Sequence, residues 1–443
     1  MFSEMKKNII RMKKLKYKLL AFALLLSSIS IAQQTPGSKQ KEAISIEGAT
    51  AHLGNGEVIE NSLIMFNEGK ITFVGSANTK IARQGKIMQV QGKHIYPGFI
   101  APNSTLGLVE VDAVRASNDV DEVGTMNPHI RSLIAYNTES KVVESMRPNG
   151  VLMGQITPRG GRISGTSSVV QFDAWNWEDA AIKVDDGIHL NWPNPFSRGR
   201  WWLGEPAMLK ENKNYKKQVE ELTAYFTDSK AYQASAKSPK HLPFEALQGV
   251  IDGSKKLYVH VNGERGITDA INFTKANNIK HLVVVGAYEA HKVSGLLKQN
   301  NIPVLLQRVH SKPKNDDDDY DLPFKLANKL VKAGVLVGLE NAGDMERMNA
   351  RNLPFLAGTC AAYGLDKEQA LSLITLNTAK ILGIDDTVGS LEVGKDATLF
   401  ISEGDALDMR TNKLSKAYIQ GRDISLESHQ TELYKRYSKK YKK

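Results

Sequence analysis

Three residues of this 443-residue chain, His260, Glu340 and Asp344, form a candidate metal-binding set. His260 lies in the strand-like run Lys256-Leu-Tyr-Val-His-Val261, and the two carboxylates follow another, Val335-Leu-Val-Gly-Leu339. One imidazole and two carboxylates near strand ends make the two-oxygen, one-nitrogen donor set of a weak single-ion site. A second pattern, Thr157-Pro-Arg-Gly-Gly-Arg-Ile-Ser-Gly-Thr166, sets Arg159 and Arg162 among glycines. Glycines let backbone N–H groups approach a ligand, and the two guanidinium groups could grip a carboxylate bidentately; the other reading is a structural tight turn. The segment lacks the Gly-x-x-x-x-Gly-Lys-Ser/Thr spacing of a nucleotide phosphate loop. His281, His291 and His310 show no metal-ligand spacing, and the acidic run Asn315–Asp319 lacks the spaced ligands of a calcium loop.

Residues become a site only if elements carry them to one place. From about residue 97 to 385, short apolar runs (Lys256–Val261, Leu282–Val285, Pro303–Leu306, Val335–Leu339) alternate with helix-like ones (Ile267–Ala276, Ala287–Leu297, Leu322–Lys332). This is the rhythm of buried parallel strands separated by amphipathic helices, and the length suits an eight-unit barrel; an open doubly wound sheet has the same rhythm. Before it, Ile44–Val74 alternates apolar and polar residues around Leu-Gly-Asn-Gly and Asn-Glu-Gly turns, a small β unit. After it, Gly389–Ile401 and Ala417–Asp423 read as further strands. The division is residues 33–96 and 386–425 as β pieces, 97–385 as barrel, and 426–443 as a basic tail. All five tryptophans fall within a segment at about 175–236, read as an excursion over one barrel end or as a binding surface.

The formal charge of +10 suggests nucleic acid until it is mapped. Residues 1–32 carry +6 and Lys435–Lys443 another +6, which leaves the body at −2 and weighs against nucleic acid as a partner. A lysine-rich start, the apolar run Leu19–Ala32 and the Ser-Ile-Ala ending read as a secretory signal, residues 1–32. The expected location is therefore exported, periplasmic or secreted, with no integral membrane segment after cleavage. Cys360 stands alone, so no intramolecular disulfide forms.

Three segments resemble the amidohydrolase superfamily, in particular its imidazolonepropionase-like periplasmic branch: Ile95-Tyr-Pro-Gly-Phe-Ile100, Ala370–Gly383, and Gly389-Ser-Leu-Glu-Val-Gly-Lys-Asp-Ala397. Their order and spacing match across residues 44–423. The resemblance implies an α/β fold, a (β/α)8 TIM-like barrel of the metal-dependent hydrolase type with a small β-sandwich built from both termini. It also implies His-x-His on the first strand, histidines on the fifth and sixth, and an aspartate on the eighth, converging on ions that activate water. In this sequence Asn103 and Thr105 stand where the first two imidazoles belong, and Gly286-Ala287-Tyr288 follows the sixth strand without a histidine. Only His260 is kept, either as a relic hydrogen-bonded in the barrel mouth or as a ligand with Glu340, Asp344 then being the proton acceptor.

The expected cofactor is none, or a single divalent ion, zinc first. One functional expectation is a barrel with weakened or lost catalysis that binds a small amide or peptide ligand at Asn103, Thr105, Arg159 and Arg162. Such a barrel could also serve as a subunit of a homo-oligomer or beside an active amidohydrolase. The other expectation is an active mononuclear hydrolase of amides, lactams or dipeptides. A third, binding to a charged surface through the basic tail, predicts affinity that collapses with salt.

Overall fold

Alternation of apolar and polar residues, the pattern of a half-buried strand, sets the first elements. In the computed structural model they are β1 (Ile44–Glu47), β2 (Thr50–His52), β3 (Val58–Ile59), β4 (Ser62–Asn67), β5 (Lys70–Ser76), β6 (Lys86–Gln89) and β7 (His94–Pro97). The structure describes residues 35–441 apart from 200–202, 207, 235, 236 and 344. The chain separates into two units, Met1–Pro36 and Gly37–Lys443, and every described strand and helix belongs to the second. The expected signal segment and Asp344 lie outside the described residues. The Asn-Glu-Gly turn closes the β4–β5 hairpin with Glu68 and Gly69 both at positive φ (51° and 80°), as a two-residue turn between twisted strands requires.

The large sheet holds eight strands: β8 (Phe99–Ser104), β9 (Val151–Ile156), β10 (Ile163–Gln171), β11 (Ala181–Asn191), β14 (Lys256–Val261), β15 (Leu282–Gly286), β16 (Val304–Leu306) and β17 (Val337–Leu339). Two short strands, β12 (Phe196–Arg198) and β13 (Leu209–Glu211), pair with each other outside it. From β14 onward the strands are parallel, with helices Glu264–Ala276, Ser294–Gln299 and Leu322–Lys332 between them. On the other side β10 runs antiparallel to both neighbours. Its connections, residues 157–162 and 172–180, are shorter than the roughly dozen residues a parallel crossover needs. The Trp-rich stretch thus contributes a barrel strand, β11, before leaving the sheet. Trp192 then packs edge-on to Phe273 at 5.4 Å and gives its indole N–H to Tyr215 Oη at 3.1 Å. Trp175 is exposed, and Trp201 and Trp202 lie outside the described residues.

The remaining strands, β18 (Leu399–Ser402), β19 (Leu414–Ile419) and β20 (Arg422–Asp423), join β7, β2 and β3 in a six-stranded sheet of both termini. It packs on the sheet β5-β4-β1-β6 through Ile46, Ile64, Phe66, Leu399, Ile401 and Tyr418. Asp173, just past β10, fastens this sandwich to the barrel. It accepts from Arg147 Nη1 at 3.1 Å, Arg422 Nη1 at 2.8 Å and Gly37 N at 2.9 Å, with the carboxylate and both guanidinium side chains largely buried.

Side-chain period decides what fills the barrel. Leu257, Val259 and Val261 of β14 face the helices, while Tyr258 and His260 face inward with Val283 and Val285 of β15. The floor is apolar, built from Ile100, Met153, Val169, Leu305 and, from below, Ile381 and Ile384. The edges β8 and β17 share no ladder. The segment before helix Leu376–Leu382 bridges them instead, Leu373 O accepting from Leu339 N at 3.1 Å and Ile374 O from Ile100 N at 3.0 Å. The carbonyls ending that helix accept from Lys183 Nζ (3.0 Å to Leu382 O) and Lys256 Nζ, cations where the helix dipole is negative. At the far end, helix His429–Tyr441 buries none of its side chains, and no described helix is long and apolar enough to cross a membrane.

Candidate functional site at the barrel mouth

A backbone irregularity at the end of β8 builds the site. Pairing with β9 slips between Ala101 and Ser104, and Asn103 inside the slip adopts φ +49°. Asparagine tolerates this left-handed region better than most side chains, and a bulge there re-aims it. The Asn103 N–H, freed from the ladder, donates to Gln155 Oε1 at 3.0 Å. Its amide Nδ2 donates to Glu340 Oε2 at 3.1 Å, across the seam between the first and last strands, and its Oδ1 accepts from Arg159 Nη1 at 2.8 Å. Arg159 also donates through Nη2 to Asn103 O at 2.8 Å and Glu346 Oε2 at 3.2 Å. Glu346 Oε1 in turn accepts from Thr105 N at 2.6 Å, and Arg347 Nη1 reaches Thr105 Oγ1 at 3.3 Å.

Asn103, Thr105, Arg159 and Glu340 therefore meet in one hydrogen-bonded cluster. Arg162 does not join them: its Nη1 donates to Asn191 O at 2.7 Å and ties the β10–β11 hairpin. The two arginines hold different parts of the wall and form no shared carboxylate clamp.

His260 ends β14 on the opposite wall, with Nε2 2.8 Å from His189 Nδ1. His189, fully buried on β11, stacks on Tyr258 at 4.6 Å and places Nε2 2.9 Å from Ser167 Oγ. Behind them Asp186 accepts from Ser167, Gln155 and Tyr258. Sequence reasoning missed this polar layer, although Gly187-Ile-His-Leu-Asn191 carried a signal. Its alternation puts His189 and Asn191 on one face of a strand whose other face is apolar.

Burial and Arg159 set the charges. Desolvation pushes the Glu340 carboxyl up to about 7 against the pull of Ala342 N, Arg159 and Asn103. Desolvation, then the Arg159 charge, takes His260 down to about 3, and burial with His260 and Arg159 keeps His189 well below the imidazole range.

The described residues, from which Asp344 is missing, offer a divalent ion few free donors. They contain no group of three His, Cys, Asp or Glu side chains arranged to hold a metal. His260 Nε2 is engaged with His189, Glu340 Oε2 already accepts from Asn103 and Ala342 N (2.7 Å), and the guanidinium of Arg159 supplies fixed positive charge that opposes a second cation.

Beside Glu340 the buried amide of Asn341 has neither its Oδ1 nor its Nδ2 hydrogen-bonded. An orphaned buried amide costs about 1–3 kcal/mol. Asn341→Leu, nearly isosteric, is expected to raise the ligand-free protein's stability by about 1 kcal/mol or more in urea denaturation. A loss of stability instead would mean that the amide has a partner.

Comparison with known proteins agrees with this architecture. The sequence model of the amidohydrolase family matches residues 164–424, more than half of the chain, and the protein belongs to that family. It is 26% identical over 161 residues to the imidazolonepropionase of Flavobacterium johnsoniae, covering 35% of this chain and 36% of that relative. It is 22% identical over 370 residues to the 5-methylthioadenosine/S-adenosylhomocysteine deaminase of Thermoanaerobacter pseudethanolicus, covering 79% and 82%. The crystal structure of an amidohydrolase from Thermotoga maritima matches 86% of this chain and 99% of its own, at a TM-score of 0.74 and 25% identity. The expected superfamily and its barrel-plus-sandwich fold are thus established.

Proposed function

We propose that this chain is an exported amidohydrolase-superfamily protein whose barrel mouth binds a small amide or peptide ligand, with metal-dependent hydrolysis weakened or lost. The observation that carries this reading is the Asn103–Arg159–Glu346 cluster, closed on Glu340, in which a guanidinium supplies positive charge at the mouth. A guanidinium can orient a carbonyl or carboxylate, but it does not lower the pKa of a bound water as zinc does. A ligand-binding subunit beside an active relative is one way such a barrel would act.

The reading is tested by elemental analysis of protein purified without chelators, alongside His260→Ala. Trace metal in both is the expected result. Near-stoichiometric zinc, manganese or iron that disappears in His260→Ala would sink it. That result would favour the second reading, an active mononuclear hydrolase in which Asp344 joins Glu340 and His260; the open Nδ1 of His260 is what keeps that reading alive.

A further inference from the structure

Hydrogen-bond accounting along the barrel wall assigns the protons of both histidines. Asp186 receives three donors: Ser167 Oγ at 2.6 Å on Oδ1, and Gln155 Nε2 at 2.9 Å and Tyr258 Oη at 2.6 Å on Oδ2. With donors directed at both of its oxygens, Asp186 serves as the acceptor that ends the chain. Ser167 gives its single hydrogen to Asp186, so toward His189 Nε2, 2.9 Å away, its oxygen is an acceptor. His189 therefore carries its proton on Nε2, and the Nδ1 of the neutral ring accepts. The donor it faces is His260 Nε2, 2.8 Å away. Neutral His260 is left with an unprotonated Nδ1, which takes no hydrogen bond from the described residues and is not among the sealed, unpartnered atoms. His260 as a residue is half-buried.

We propose that the chain Asp186–Ser167–His189–His260 holds His260 as a fixed hydrogen-bond acceptor, its Nδ1 reserved for the N–H of a neutral amide or lactam. This rests on the reading of the mouth as an amide-binding site and names the atom that selects the ligand. The guanidinium of Arg159, fixed at the mouth by Asn103 and Glu346, disfavours an ammonium there, so the matching donor is uncharged. Arg159 spends three of its N–H groups on Asn103 and Glu346, and two of a guanidinium's five remain for a carbonyl. An unsubstituted amide offers both functions, N–H and C=O. An N-alkylated amide keeps only the carbonyl.

The experiment uses full-length protein labelled with 15N-histidine and long-range proton–nitrogen correlation, with His260 assigned from His260→Gln. His189 and His260 should both appear as neutral Nε2–H tautomers between about pH 6 and 8. Ser167→Ala, which removes the acceptor facing His189, should mix the tautomers while the other histidine signals stay in place. Titration then compares 2-pyrrolidone with N-methyl-2-pyrrolidone. The N–H lactam should shift the Nδ1 resonance of His260 and bind about tenfold more tightly, the value of one neutral hydrogen bond.

An Nδ1–H tautomer at His260, or equal responses to both lactams, would overturn the proposal. If His189 responds to both lactams while His260 Nδ1 stays still, the amide-binding reading stands and the acceptor role falls. Silence of both rings toward both lactams overturns the two together.

Discussion

Asp173→Ala is expected to lower the unfolding free energy by about 3–5 kcal/mol, the cost of breaking a buried ion pair from one side. Asp173 and Arg147 are almost fully buried, and Arg422 nearly so. Removing the carboxylate takes its charge from between two buried guanidinium groups and deletes the bonds it accepts from Arg147, Arg422 and the Gly37 N–H. Desolvation already disfavours the charged form of Arg147, with Asp173 as the first force opposing it. The loss should appear as a lower denaturation midpoint followed by tryptophan fluorescence. Asp173→Asn, which keeps hydrogen-bond acceptance but not charge, should fall between wild type and alanine. A change below about 1 kcal/mol for alanine would show that the staple between barrel and sandwich is water-filled or dispensable.

The second large effect is pH-dependent. Burial raises the Glu340 carboxyl from 4.5 to about 7, so between those values the folded state binds a proton that the unfolded state has released. Stability then falls as pH rises through that window, by about 3 kcal/mol for a shift of this size, and the penalty is complete above the folded value. Glu340→Gln keeps an oxygen to accept from Asn103 and Ala342 N and cannot ionise. It should match wild type near pH 4.5 and exceed it by about 3 kcal/mol at pH 8 in chemical denaturation. Parallel stability profiles for the two proteins would mean that Glu340 titrates as an ordinary surface carboxylate.

Much of the fold was legible from particular segments. The runs around Lys256–Val261, Leu282–Val285 and Val335–Leu339 became β14, β15 and β17, because buried parallel strands must be apolar on both faces and their period is local. The antiparallel course of β10 was less legible. Its residues, Ile163–Gln171, read as any buried strand does, and only the short connections on either side reveal its direction.

The strand-and-helix rhythm was set by the sequence, and its resemblance to the superfamily chose the barrel with its two-ended sandwich over an open doubly wound sheet, since both reside in local pattern and residue type. Tertiary structure alone decided that Arg159 turns to Asn103 and Glu346 while Arg162, three residues later, ties down a hairpin. It alone joined His189 to His260 and set Asn103 against Glu340 across the seam. Those contacts link residues far apart in the chain, and their geometry comes from barrel closure and one bulged residue, which no local pattern encodes.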